Sequence, residues 1–415
     1  MTQLPPVALS VGADYESVAS RFRPIFDRIA AGAVERDQLR TLPYDQIAQL
    51  KQAGFGALRV PVSQGGAGVS VKQLFRLLIE LGAADSNLPQ ALRGHFAFVE
   101  DVVNAPASAE RDQWFARFVR GDLFGNAWTE VGNVALGSVN TQVAKQGDRW
   151  VLNGEKYYST GSIFADWIDV YAQRAEDGSD VIVAVATKQP GVTLSDDWDG
   201  FGQRTTGSGT TVFKDAVVEP GHIVDFARRF KYQTAFYQLF HLATLAGIAR
   251  AAELDAAAQV RARKRIYSHG NAPHVSQDVQ IQQVVGEIAA WAYAAEAIAL
   301  RAAEPAQRAY EARFADDVEA EKHFNIEAEI ESAKGQIVAT ELALRASTHL
   351  FDALGASAIG GGKALDRHWR NARAVSSHNP IVYKAKLVGD WSINQKEPIY
   401  VWQIGAGPGA EPAPT

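Results

Sequence analysis

The chain has 415 residues, with 41 Lys and Arg against 47 Asp and Glu, and its formal charge of −6 argues against nucleic acid or an anionic membrane as the main partner. Hydrophobic residues make up 47% and charged residues 21%, which excludes a disordered or fibrous chain. There is no cysteine, so disulfides, thiolate metal sites and thiol nucleophiles are all excluded. The opening MTQLPPVALSVGADYES lacks the basic start and apolar run of a signal peptide, and no stretch of about eighteen uninterrupted apolar residues occurs. A soluble, cytoplasmic protein of two or three domains is expected.

Residues 1–123 predict an N-terminal helical domain. Leu74, Leu77, Leu78 and Leu81 share one face of a helix. His95, between Gly94 and Phe96, starts or lines an apolar helix and reads as a core residue or a site residue. Over residues 124–228 the periodicity drops to two, predicting a β domain. Trp150-Val151-Leu152, Asn153-Gly154 and Glu155 to Tyr158 read as a hairpin, and Ile168 to Ala172, Val181 to Ala186 and Thr210 to Phe213 as strands. The intervening loops carry Asn126, Thr129, Ser159, Thr160, Ser162 and the WDGFGQRTTGSG run from Trp198 to Gly209. These groups suit a planar polar ligand, although hydroxyl-rich loops are also how turns are made.

Residues 229–404 turn helical again. Ile281, Val284, Val285, Ile288 and Trp291 follow the helical repeat, and a bundle of long helices is the natural architecture. Residues 405–415 read as a loose Pro/Gly/Ala tail. Within LDRHWRNARAVSSHNP, Arg367, Arg370 and Arg373 lie at three-residue spacing on one helical face, and Pro380 ends the helix with His378 aimed beyond it. No G-x-G-x-x-G follows a strand, so no NAD(P)H site is read, and no metal site is read either.

The order of helical, β and helical domains resembles the acyl-CoA dehydrogenase fold: mostly α, with a central β domain and a C-terminal four-helix bundle. Asn126-Ala127-Trp128-Thr129-Glu130 resembles that family's flavin-contacting TE motif. Leu152-Asn153-Gly154-Glu155-Lys156 with Tyr158-Ser159-Thr160-Gly161 resembles its LNGxKxxITN segment beside the flavin. Phe213 to Val218 resembles its F-x-D-V-x-V strand, and Asp366 to Arg373 the helix leading to the active site. One departure stands out. The dehydrogenases take an α-proton with the glutamate of a Y-E-G-T motif after that helix, whereas here the corresponding residues are His378, Asn379 and Pro380; the other location for the base falls near Tyr237, again without a carboxylate. An amide cannot act as the base.

With HWRNAR and SSHNP the sequence is similar to the branch of two-component monooxygenases typified by dibenzothiophene monooxygenase. That resemblance implies an oxygenase component that takes reduced FMN from a separate NAD(P)H:flavin reductase, adds O2 to form a C4a-hydroperoxide, and oxygenates a small organosulfur or amine-type substrate. It implies that Asn126, Thr129, Ser159 and Ser162 contact the flavin ring, that Trp198 covers or borders it, and that Arg265, or alternatively Arg263, reaches the phosphate in a neighbouring subunit of a homotetramer. Arg370 would contact phosphate or hold its helix through ion pairs. His378 and, opposite it, His95 would face the reactive edge, with Ser162 as a third catalytic candidate. The alternative is an FAD-dependent acyl-CoA dehydrogenase with a displaced base, Asp366 or Glu130; a non-catalytic protein on the same fold is a third reading.

Overall fold

A computed structural model describes residues 14–131 and 138–401; the expected loose tail lies outside them. Seven helices come first: α1 (Tyr15–Ala31), α2 (Ala33–Leu39), α3 (Tyr44–Gln52), α4 (Val71–Ala84), α5 (Asn87–Ala91), α6 (Arg93–Asn104) and α7 (Ala109–Arg120). Ser70 starts α4 with a capping box, its hydroxyl accepting from the Gln73 amide while the Gln73 side chain returns to the Ser70 N–H. The leucine face of α4 is fully buried. That face packs on the C-terminal helices rather than only within its own domain, so one continuous apolar core joins the first and last thirds of the chain.

The middle third is an eight-stranded sheet: β1 (Phe124–Ala127), β2 (Gln142–Gln146), β3 (Arg149–Lys156), β4 (Trp167–Arg174), β5 (Asp180–Ala186), β6 (Val192–Leu194), β7 (Thr211–Val218) and β8 (Ile223–Asp225). Its order is β6-β7-β3-β2-β4-β5-β8, with β1 added parallel to β4. The sheet carries its own smaller core around Val143, Leu152, Val170, Val183 and Phe213.

The hairpin turn expected at Asn153-Gly154 is not there. Both residues lie inside β3, which pairs with β2 through Gln142↔Asn153 and turns instead at residues 147–148. The Asn-Gly pair makes a register shift against β7: Asn153 exchanges hydrogen bonds with Asp215, and Gly154, at φ 149°, lies where a Cβ would strike Thr141. The same sequence signal serves a bulge or a turn, and here the partner strands decide.

Four long or medium helices and one short one complete the chain: α8 (Gln233–Ala262), α9 (Val279–Phe314), α10 (Val318–Leu354), α11 (Asp366–Ser376) and α12 (Ile381–Asn394). Alanines at 292, 295, 299, 302, 303, 306 and 309 keep α9 close to its neighbours. No helix among the described residues is long and apolar enough to cross a membrane.

A buried polar knot joins the first domain to the start of the third. Arg59 pairs bidentately with Glu100 at 2.8 Å, Tyr232 donates to the same carboxylate at 2.5 Å, and Asn104 donates to the Tyr232 hydroxyl at 2.9 Å. Glu100 is fully enclosed, so Glu100→Ala strands the Arg59 charge and is expected to cost about 3–5 kcal/mol in denaturant unfolding. A loss within experimental scatter would show that the knot does not hold the two domains together.

Candidate active site

A cavity of about 520 Å³ lies where the three thirds of the chain meet. Its wall takes Gln90 and Arg93 from the α5–α6 corner, Asn126, Trp128 and Thr129 from the end of β1, and Tyr158 and Thr160 from the segment after β3. The β6–β7 loop adds Trp198, Gln203, Thr206 and Ser208; α8 adds Tyr237, Gln238 and His241; the α11–α12 junction adds Ser377, His378 and Asn379.

Each wall is held by identifiable contacts. Beyond β1, Glu130 accepts from Lys156 at 2.8 Å, from the Thr141 hydroxyl at 2.7 Å and from the Asn140 and Thr141 amides, with Lys156 fully buried. That fixes Trp128 and Thr129 beside it. On the back of Trp128, the Arg229 guanidinium lies 5.0 Å from the ring and pairs with Asp169 at 3.3 Å. Gly161, at φ 78°, brings the hydroxyl segment against the Ala91 carbonyl, where any Cβ would collide. Thr160 and Ser208 are linked at 2.8 Å, and Ser208 and Thr206 at 2.7 Å, making a hydroxyl strip.

The β6–β7 loop is docked onto α11. The Gln203 amide donates to Asn371 at 2.7 Å, Arg370 donates to the Phe201 carbonyl, and the Trp198 indole donates to the Gln203 carbonyl at 2.9 Å. Arg370 also pairs with Asp37 at 2.6 Å and Asp366 at 2.8 Å. It is a strut rather than a cavity group. The cationic face expected on α11 is likewise partly consumed, since Arg367 and His368 both bond Asp255.

At the far wall Arg93 donates to Nε2 of His378 at 2.8 Å and lies 3.3 Å from Nε2 of His241, whose Nδ1 meets Gln90 at 2.8 Å. The two imidazoles are 4.4 Å apart. Arginine can only donate, so Nε2 of His378 bears the lone pair and the neutral ring carries its proton on Nδ1. The Asn379 side chain accepts from that ring and donates through Nδ2 to Gln238 at 3.1 Å; Gln336 donates to the same Gln238 oxygen at 2.6 Å. Where proton abstraction would need a carboxylate there is an amide chain. Both displaced-base candidates are engaged elsewhere, Glu130 with Lys156 and Asp366 with Arg370, and neither lines the cavity.

Of the residues singled out in the sequence, Asn126, Thr129, Trp198 and His378 reach the cavity wall. Ser159 and Ser162 are buried just behind it, Ser162 bonding the Asn126 carbonyl at 3.4 Å. His95 does not face the cavity. Its Nε2 donates to the Gly56 carbonyl at 2.8 Å and its Nδ1 accepts from the Phe124 amide at 3.2 Å, so both ring nitrogens are used to seat β1 on the first domain. Arg265 lies on the exposed segment between α8 and α9, away from the cavity, while Arg263 is occupied by the Leu354 carbonyl at 2.6 Å and the Tyr267 ring. Arg93 and His241 were not legible as site residues, because only tertiary packing brings them to His378.

Burial lowers the pKa of His95 to about 4 and, with the Arg93 and Lys384 charges, that of His378 to about 3; burial and the neighbouring His378 hold His241 well below its usual range. The His378 ring is exposed toward the cavity, where solvent screens part of that depression. All three folded values lie below the ordinary 6.5. Their contribution to stability is therefore complete above that value and is lost as pH falls through it, at about 1.4 kcal/mol per pH unit for each of the enclosed His95 and His241. NMR titration of the rings should find none of the three with a midpoint between about pH 5 and 8. A His378 midpoint near that of a free imidazole would contradict the neutral tautomer assigned here.

The sequence matches the acyl-CoA dehydrogenase N-terminal domain over residues 15–122, the middle domain over 127–216 and the C-terminal domain over 239–382. It is 27% identical to the dibenzothiophene monooxygenase of Rhodococcus qingshengii over 403 residues, covering 93% of this chain and 95% of that one. It is 26% identical to a probable FMNH2-dependent monooxygenase, SfnC, of Pseudomonas putida, covering 91% and 94%. The crystal structure of TdsC from Paenibacillus sp. A11-2 with FMN and indole superposes with a TM-score of 0.82 at 25% identity, covering 92% of this chain and 98% of that one. With the three domains in order and a cavity wall that lacks the dehydrogenase carboxylate, the chain belongs to the acyl-CoA dehydrogenase family, in its branch of flavin-dependent monooxygenases.

Proposed function

We propose that this protein is the oxygenase component of a two-component flavin-dependent monooxygenase, which takes reduced FMN from a separate NAD(P)H:flavin reductase and uses O2 to oxygenate a small organosulfur or amine-type substrate in the cytoplasm. The observation that carries this reading is chemical. No carboxylate lines the cavity among the described residues, and the base position is filled by the Asn379–Gln238 amide pair. Abstraction of an α-proton from an acyl thioester has no catalyst there. The relatives' names, with FMN rather than FAD in the TdsC structures, favour the same side.

The residues present fit FMN. The volume is within the roughly 300–1,000 Å³ usual for ligand sites. Asn126 Oδ1 and the Tyr237 hydroxyl are buried polar atoms at the wall with no partner among the described residues, which a ring bearing both donors and acceptors could satisfy. Asn126, Thr129 and the Thr160–Ser208 strip would hold the ring's polar edge, and Trp198 and Tyr158 would border its faces. Arg93 is the one Lys or Arg on the wall among the described residues, which leaves the phosphate to a group from outside, and Arg265 of a neighbouring subunit in a homotetramer is our candidate.

Reduced FMN, when bound, supplies two electrons that activate O2, one oxygen atom going to the substrate and the other leaving as water. The chain's own residues set the conditions for that step. His378 stays neutral with its proton on Nδ1, because Arg93 holds Nε2 and Asn379 accepts from the ring. Trp128, Trp198 and Phe226 make part of the wall apolar, and exclusion of water by a bound flavin and substrate against it would limit unproductive loss of the oxidising equivalent.

Replacing His378 with alanine should leave FMN affinity within about a few-fold while lowering product formation about 10²- to 10³-fold, with the missing oxidant appearing as hydrogen peroxide. Unchanged product per NADH, assayed with an aryl sulfide probe, would remove His378 from the reaction. The purified protein with NADH and FMN should show no NADH oxidation until a flavin reductase is added. Light scattering should report a tetramer, and a monomer able to hold FMN would overturn the shared phosphate site.

A further inference from the structure

Arg93 differs from every other deeply buried guanidinium described in the chain. Arg36, Arg59 and Arg229 are equally enclosed, and each meets a carboxylate: Asp85 at 3.0 Å, Glu100 at 2.8 Å and Asp169 at 3.3 Å. Arg93 is 5% exposed and meets none among the described residues. Its partners are the His378 and His241 rings and the face of Tyr237, and its Nε has no partner among the described residues.

Burial lowers its pKa only to about 10, so it is charged at neutral pH, while both histidines are held neutral. The next cation, Lys384, is balanced by Glu329, whose charge acts on it from α10. Among the described residues the wall thus presents one uncompensated positive charge. Burying such a charge without a counter-ion is costly, and the fold nevertheless keeps it facing a cavity with a spare donor.

We propose that the substrate is a monoanion whose carboxylate, sulfinate or similar oxyanionic group pairs with Arg93, which thereby sets substrate specificity and presents the rest of the molecule toward the Asn126–Thr129 wall. The proposal rests on the oxygenase reading and narrows its substrate class. A guanidinium offers two parallel donors to such a group, and the histidines on either side, being neutral, neither add to nor cancel its charge. The FMN phosphate is the other anion that could answer Arg93. It would bring a second negative charge to a wall with a single unbalanced cation, and so fits less well.

Calorimetric titration of the FMN-loaded protein with methanesulfonate and with dimethyl sulfone, its uncharged isostere, tests the proposal. Wild-type protein should favour the anion by about tenfold or more, the usual worth of a hydrogen-bonded charge. Arg93→Gln should bring the two within about twofold, and Arg93→Lys should keep part of the preference. Equal affinities in the wild type would overturn the proposal without any variant being needed, and would leave the oxygenase reading intact. FMN and riboflavin titrations separate the remaining case: if Arg93→Gln weakens FMN but spares riboflavin, the flavin phosphate occupies the site and the proposal fails. If neither flavin binds the wild type while the Arg93-dependent anion preference persists in flavin-free protein, the flavin reading falls and the anion site stands.

Discussion

The contact on which the cavity depends is the hydrogen bond from Arg93 to His378. It spans 285 residues of sequence, joining the start of α6 to the turn after α11, and it fixes both a charge and a tautomer. A guanidinium has no lone pair to offer, so the histidine beside it must turn a bare nitrogen inward and keep its proton on the other side. That side meets Asn379, which bonds Gln238, which accepts from Gln336 on α10. Four segments are thereby set in one orientation by donors and acceptors that cannot be exchanged freely.

This arrangement explains how a dehydrogenase fold has changed its chemistry with its architecture intact. The residue that resembles the dehydrogenases' glutamate position, Asn379, is an amide, and the neighbouring imidazole is held neutral beside an arginine. A carboxylate at residue 379, in place of the amide that accepts from the ring, would raise the histidine pKa and favour its charged form. Elsewhere Glu130 anchors the end of β1 through Lys156, and Arg370 ties the loop bearing Trp198 to α2 through Asp37.

Much of this was legible in the chain because it depends on local pattern. The leucine spacing of Val71 to Leu81, the strands at Ile168 to Ala172 and Val181 to Ala186, and the helix ending before His378 all follow from periodicity and from proline's missing donor. Asn126, Thr129 and Trp198, which motifs mark in the sequence, line the cavity. The failures share a cause. Asn153-Gly154 favours a positive φ whether the chain turns or bulges, and only pairing with β7 settles which. His95 lies on the same helix as the cavity wall but about 200° around it from the inward-facing position, so it points into the core. Arg93, two positions earlier, takes the inward place, and nothing local marks it, since an arginine becomes unusual only when no carboxylate meets it in the folded protein.

The central claim is that this cavity handles oxygen on a reduced flavin rather than protons on an acyl thioester. Rapid mixing of the protein bound to reduced FMN with O2, while following hydrogen peroxide, tests it most directly. The account predicts peroxide release much slower than from free reduced FMN under the same conditions, and no bleaching of the oxidised, flavin-loaded protein by an acyl-CoA. Peroxide appearing as fast as from free flavin, together with flavin reduction by an acyl-CoA, would contradict it.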